Sequence, residues 1–230
     1  MIKLQHKFHE ARSVGLLLSL VGGALDGYTY IHFDAFASAQ TGNLVLAIIQ
    51  GFDGEWLSVG KKLLSTLFFF LGIFLAKFLS HYFQQKQIPY WRLFVLYYEA
   101  ILFALLSLSW INQHPALVTI LIAFTASIQW VTFDKIEGRA YTNLFTTGNL
   151  KGVATNLYDY LATGDQEAFH TFRHYVWVVV SFILGVILSV FCYHLWGKNA
   201  ILLISFLLGA LAVSQTIQVW RFYRTNPALR

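Results

Sequence analysis

Six stretches of this chain are long and apolar enough to cross a bilayer, and they leave little choice of fold. A membrane-spanning helix needs about 20 mostly apolar residues. Residues 14–33, 63–83, 93–111, 116–133, 175–195 and 200–220 meet that requirement. Only 12% of the 230 residues are charged and 57% are apolar, whereas a soluble domain carries about 25% charged residues. So few charges cannot clothe a water-exposed surface, and the expectation is an all-α membrane protein with six transmembrane helices. A net charge of +5 would point to nucleic acid in a soluble chain. Here the cations fall between apolar runs, so the implied partner is the lipid bilayer and not nucleic acid. The lone Cys192 lies inside an apolar run, which excludes a disulfide framework or a cysteine-based zinc site within one chain.

The cations also orient the spans. With the N-terminus inside, the cytoplasmic side receives Lys3, Lys7, Arg12, Lys77, Lys86, Arg92, Lys135, Arg139, Lys151, Arg173, Arg221, Arg224 and Arg230; the outer side receives Lys61, Lys62 and Lys198. That division accounts for all 16 Lys and Arg, and the positive-inside rule puts both termini in the cytoplasm. The first apolar run, with Ala37-Ser38-Ala39 beyond it, has some features of a signal peptide. That triplet lies too far past the apolar run, so the segment is expected to stay as the first span. Short polar joints ("QQKQIPYWR", "NQHP", "WGKN") make helical hairpins, with Pro89 and Pro115 at helix starts.

Two connections, 34–62 and 134–174, are long, and each carries the same tetrad: Thr41-Gly42-Asn43-Leu44 and Thr147-Gly148-Asn149-Leu150. The first tetrad opens "NLVLAIIQGF", too short to span and too apolar for a free loop. The second opens an amphipathic pattern at Leu150, Val153, Ala154, Leu157 and Leu161. Pairing Asp26 with Gln129 puts the tetrads 15 and 18 residues downstream. Each half, 1–112 and 113–230, then reads as a long helix, an extended step, a Thr-Gly-Asn break, a short re-entrant or interfacial helix and a two-helix hairpin. Three spans per half is an odd number, so the halves should be inverted repeats, a pattern found in transporters. In the tetrad, Thr suits a helix N-cap, Gly a tight turn or close approach, and Asn supplies an amide for freed backbone or a ligand.

"GGALDGYTYIHFDAFASAQTGNLVLA" and "SIQWVTF…TTGNL" resemble the two signatures of the YoaK-like family, bacterial integral membrane proteins of unknown function, over nearly the whole chain. The family pattern often has Ala where this chain has Gly27, and Asn where it has Trp130. The resemblance implies a bacterial inner-membrane protein of about this size and leaves the activity open.

Asp26 is the sharpest single residue, because an ionised carboxylate at span depth costs roughly 2.5–3.5 kcal/mol unless paired or protonated. Its readings are a proton or cation relay, a substrate anchor, or a partner for backbone freed near Gly22-Gly23. Glu99 on the third span is a second intramembrane carboxyl, and Gln129 is the neutral counterpart of Asp26. The expected substrate or coupling site is therefore Asp26, Thr41, Gly42, Asn43, Glu99, Gln129, Thr147, Gly148 and Asn149. His170 and His174 share a helix face, but nothing nearby completes a metal set, so neither metal nor cofactor is expected. No hydrolase, zincin, P-loop or dinucleotide motif is present, so an enzyme is not expected. The expected function is secondary transport of a small solute, with Asp26 handling either a coupling proton or a polar substrate group and with homo-oligomerisation left open. A membrane scaffold or sensor is the alternative, and a channel a weaker one.

Overall fold

The computed structural model describes residues 7–88 and 90–226. Pro89, expected at a helix start, and Lys3 and Arg230, counted among the cytoplasmic cations, lie outside the described residues. After a 3-10 turn (Phe8–Glu10) come α1 (Arg12–Phe33), α2 (Gln40–Phe52), α3 (Trp56–Gln85), α4 (Arg92–Leu106) and α5 (Ser109–Asn112). The chain continues through α6 (Pro115–Thr132), a two-stranded hairpin, α7 (Thr147–Thr163), α8 (Gln166–Trp196), a 3-10 turn (Gly197–Ala200) and α9 (Ile201–Thr225).

Among the described residues, four helical runs are long and apolar enough to cross a membrane: Arg12–Phe33, Trp56–Gln85, Pro115–Thr132 and Gln166–Thr225, the last containing α8, the turn and α9. The protein is thus all-α, with helices fit for a membrane. The stretch expected to span at 93–111 is shorter than anticipated. Its main helix stops at Leu106, about 22 Å long by helix geometry. The Asn112 amide donates to the freed Leu106 carbonyl (3.0 Å) and Ser107 Oγ to the Ala104 carbonyl (2.7 Å). These polar side chains end the helix where hydropathy alone would carry it on to Ile111.

Helices α1 and α6 are central, with 67% and 56% of their apolar windows buried, against 22% for α3 and 28% for the α8–α9 run. The outer helices expose Phe70, Phe74, Phe78, Ile187 and Phe206, a surface suited to lipid. The main packing pairs are α1 with α8, α3 with α6 and α4 with α9; α2 lies on α3 and α7 on α8. Close approach depends on missing side chains. A Cβ at Gly185 would sit 1.9 Å from the Leu20 carbonyl oxygen, and one at Gly72 would sit 2.0 Å from Ser127 Oγ. Small residues at such crossings let helices pack by van der Waals contact where lipid supplies no hydrophobic drive.

The connections that carry the tetrads differ in one respect. Residues 34–39 run directly from α1 to α2. Between α6 and α7 the chain first forms an antiparallel hairpin, Lys135–Ile136 with Arg139–Ala140. Its two-residue turn, Glu137-Gly138, has positive φ at both positions (50° and 83°), the type I′ geometry that matches strand twist.

Candidate functional site

Both tetrads form the first turn of a helix, and in both the asparagine reaches back over the helix start. Asn43 Oδ1 accepts the Phe36 N–H (2.8 Å) and Asn43 Nδ2 donates to the Phe36 carbonyl (2.9 Å). Asn149 Oδ1 accepts the Thr142 N–H (3.2 Å) and Asn149 Nδ2 donates to the Thr142 carbonyl (2.7 Å). In each case the amide brackets both polar groups of the residue seven positions upstream. An extended step inside a helical bundle has no ladder to satisfy its backbone, and these amides supply the partners. Asn43 is 0% and Asn149 2% exposed. The threonines behave otherwise than expected. The residues preceding α2 and α7 are Ala39 and Thr146, neither with a side-chain cap, and Thr41 and Thr147 are exposed. Gly42 packs under the Phe36 ring, 3.2 Å from where a Cβ would stand, while Gly148 faces open space.

Asp26 belongs to the first step. Its Oδ1 accepts the Ser38 N–H (2.8 Å) and its Oδ2 lies 2.7 Å from Ser38 Oγ. Ser38 Oγ also lies 2.8 Å from the carbonyl oxygen of Leu144 in the second step. Ser38 and Leu144 each stand five residues before their bracketing asparagine. The second step reaches this position because α1 has Gly22 there: a Cβ would lie 1.9 Å from the Asn143 carbonyl oxygen.

Glu99 and Gln129 are different. Both are 0% exposed, and among the described residues neither side chain finds a hydrogen-bond partner for any of its polar atoms. Glu99 sits between two inter-helix ties. Tyr98 Oη bonds Thr125 Oγ1 of α6 (3.1 Å), and Ser205 Oγ of α9 donates to the Ala100 carbonyl (2.6 Å). The structure therefore joins Asp26 to both steps through Ser38 and joins each asparagine to its own step, while among the described residues neither Glu99 nor Gln129 makes a side-chain hydrogen bond to either tetrad.

Two polar clusters were not foreseen. Lys62 is 0% exposed; its ammonium bonds Asp34 Oδ2 (2.8 Å), Ser58 Oγ (3.0 Å) and the Asp34 carbonyl. Burial by itself would raise the Asp34 carboxyl. The hydrogen bonds from Lys62, Gln50 and Ser58 and the Lys62 charge outweigh it and hold the group below its ordinary value. Asp34 ends α1 in the left-handed region (φ 55°), a conformation Asp tolerates better than most residues. The second cluster links His32 to Tyr193 Oη (2.9 Å) and Asn112 Oδ1 (2.9 Å), and Asn112 to Tyr28. The pairing of Lys62 with a residue 28 positions earlier leaves no local sequence signal.

A cavity of about 20 Å³ lies beside His9, Tyr90, Arg92 and Gln215. An open depression of about 560 Å³ lies beside Asp34, Glu55, Trp56 and Lys61. Neither is lined by Asp26, Asn43, Glu99 or Gln129. Among the described residues, no group of three His, Cys, Asp or Glu is placed to hold a metal ion.

No curated protein and no solved structure matches the chain. The YoaK-like group that the paired signatures resemble falls within a broader family of unknown function. The model of that family, described as "Protein of unknown function (DUF1275)", matches residues 14–214, and the chain belongs to it.

Proposed function

We propose that this protein is a proton-coupled secondary transporter of a small solute in the bacterial inner membrane. It is built from two inverted repeats, 1–112 and 113–230, with both termini cytoplasmic. The repeat reading is supported by reciprocal packing. The first long helix of one half, α1, packs on α8 of the other, and α6 packs on α3. The matching asparagine brackets, each spanning seven residues, support it further.

The observation that carries transport is Glu99. A carboxyl buried at 0% exposure with both oxygens bare is costly in hydrocarbon. It is tolerated by holding a proton, by meeting an exogenous partner, or by doing each in turn, and that alternation is what coupling needs. Gln129, equally bare, is a neutral donor and acceptor for a polar solute group. Asp26 has its hydrogen bonds within the protein, so the coupling role expected of it passes to Glu99.

The test is proton movement in proteoliposomes loaded with a pH-sensitive dye and challenged with amino acids, sugars, organic acids and nucleobases. Wild-type vesicles should respond to one solute class, and Glu99→Gln should insert normally and lose the response. Silence across every class, or an undiminished response in Glu99→Gln, would refute the reading. A scaffold is the second reading. It is favoured by the asparagine brackets, which occupy both tetrad amides with the protein's own backbone.

A further inference from the structure

The contacts of Ser38 are one hydrogen short. Its Oγ stands 2.7 Å from Asp26 Oδ2 and 2.8 Å from the Leu144 carbonyl oxygen, both ordinary lengths for an O–H···O bond. A serine hydroxyl has one hydrogen to donate. A peptide carbonyl has none, and neither has an ionised carboxylate. With Asp26 ionised, one of the two contacts therefore sets lone pairs against lone pairs. With Asp26 neutral the count closes. The acid O–H on Oδ2 donates to Ser38 Oγ, Ser38 Oγ–H donates to the Leu144 carbonyl, and Oδ1 still accepts the Ser38 N–H at 2.8 Å.

From this hydrogen count we propose that Asp26 and Ser38 form a proton-binding site whose occupancy ties the two extended steps together and whose emptying releases them. When the proton leaves Oδ2 for water, the Ser38 hydroxyl turns to the carboxylate and the Leu144 carbonyl loses its donor. No electrons move and no other bond is made or broken. Gly22, one helical turn before Asp26, seats the second step against α1, so the site joins α1 and both steps at one point.

Backbone N–H groups of Ala37 and Ala39 also face the Asp26 carboxyl; they bring no acceptor to Ser38 Oγ, so its single hydrogen still meets two oxygens when Asp26 is ionised. Val186 and Ser189 of α8, which lie against Gly27, do not titrate. Of the titratable side chains on α1 and on the helices packed against it (α8, α9 and α6), those buried besides Asp26 are Tyr28, His174 and Cys192, and Tyr141 is buried just before the second step. Among the described residues, no cation lies within ion-pair distance of Asp26. The inference goes beyond the transport reading, whose coupling carboxyl is Glu99, by making Asp26 a second proton site that holds the two steps together. Its test uses no solute, so the two can fail separately.

The experiment is hydrogen exchange of residues 36–46 and 142–150 in the whole protein in nanodiscs, from acid to alkaline pH, corrected for intrinsic rates. In the wild type, protection of both steps should fall about five-fold as pH rises, the effect of losing one buried hydrogen bond. Asp26→Asn places an amide donor where the acid proton sits and should keep protection high at every pH. Ser38→Ala cuts the link and should keep protection low at every pH. A wild type with no change, or a pH-dependent loss that persists in either variant, would overturn the proposal. The Ser38→Ala arm decides the matter even if Asp26→Asn does not fold.

Discussion

Replacing Asn43 with alanine should be among the most damaging single changes in this protein, although the residue is small and its shortest bonds go to a residue only seven positions away. The side chain is 0% exposed and makes two short bonds to one residue, Phe36 N–H at 2.8 Å and Phe36 C=O at 2.9 Å. Truncation strands both groups away from water. Ser65 Oγ, 3.3 Å from the Phe36 carbonyl, offers partial relief to one of them. An abandoned buried donor or acceptor costs about 1–3 kcal/mol, so with one group partly rescued the expected loss is about 3 kcal/mol. Asn43→Asp is the sharper variant, because it preserves shape. It keeps an acceptor for the Phe36 N–H but turns a carboxylate oxygen toward the Phe36 carbonyl, and it should cost as much as alanine. Asn149→Ala should behave alike through Thr142, and the two losses should add, since the brackets share no partner. Reversible unfolding in mixed micelles, followed by tryptophan fluorescence, measures each term. An Asn43→Asp variant as stable as the wild type would refute the bracket as the reason for the tetrad.

Four further outcomes follow from other parts of the molecule. Gly185→Ala puts a methyl group 1.9 Å from the Leu20 carbonyl oxygen and should destabilise by about 1–3 kcal/mol. Gly60→Ala, inside α3 with nothing within 4 Å, should instead stabilise by up to about 1 kcal/mol in the same unfolding assay. His9, outside the spans, is pulled from 6.5 to about 4 by burial first, then by repulsion from Arg92 and Lys7 against an opposing Glu10. The unfolded chain therefore takes up this proton before the folded one. The stability His9 confers is complete above 6.5 and is lost as pH falls toward 4, by at most about 3 kcal/mol. A stability-against-pH curve for His9→Gln should lack that slope. Single cysteines at 55 and 155, in a Cys192→Ala background, should label from opposite faces of the membrane; labelling of both from outside would contradict the inverted halves.

Some of this was legible in the sequence for clear physical reasons. Hydropathy and charge asymmetry are summed properties, and they announce membrane helices without any knowledge of contacts. The tetrads stand out because their letters are identical. Their mechanism does not, because each asparagine bonds a backbone, and the bracketed residues, Phe36 and Thr142, have nothing chemical in common. The three-residue difference between the halves was countable, but its form as a hairpin at 135–140 depends on Glu137-Gly138 turning with positive φ. The stop at Leu106 lies in the reach of Asn112 back along the chain, which an apolar run through Ile111 conceals. Lys62 reads as the edge of a span. Only the folded chain brings Asp34, Ser58 and Gln50 to one point around an ion pair whose lysine is buried and whose carboxylate is half exposed. Asp26 and Glu99 were both visible as carboxyls at depth. What separates them, a full set of partners for one and none for the other, is tertiary.

The central claim is that a bare carboxyl at membrane depth gains and loses a proton. Infrared difference spectroscopy of the protein in lipid tests it most directly, because it needs no knowledge of the solute. The account predicts a protonated-carboxyl band that is absent in Glu99→Gln, still present in Asp26→Asn, and diminished when pH is raised. A carboxyl region unchanged by Glu99→Gln, or a Glu99 band that no pH alters, would contradict it.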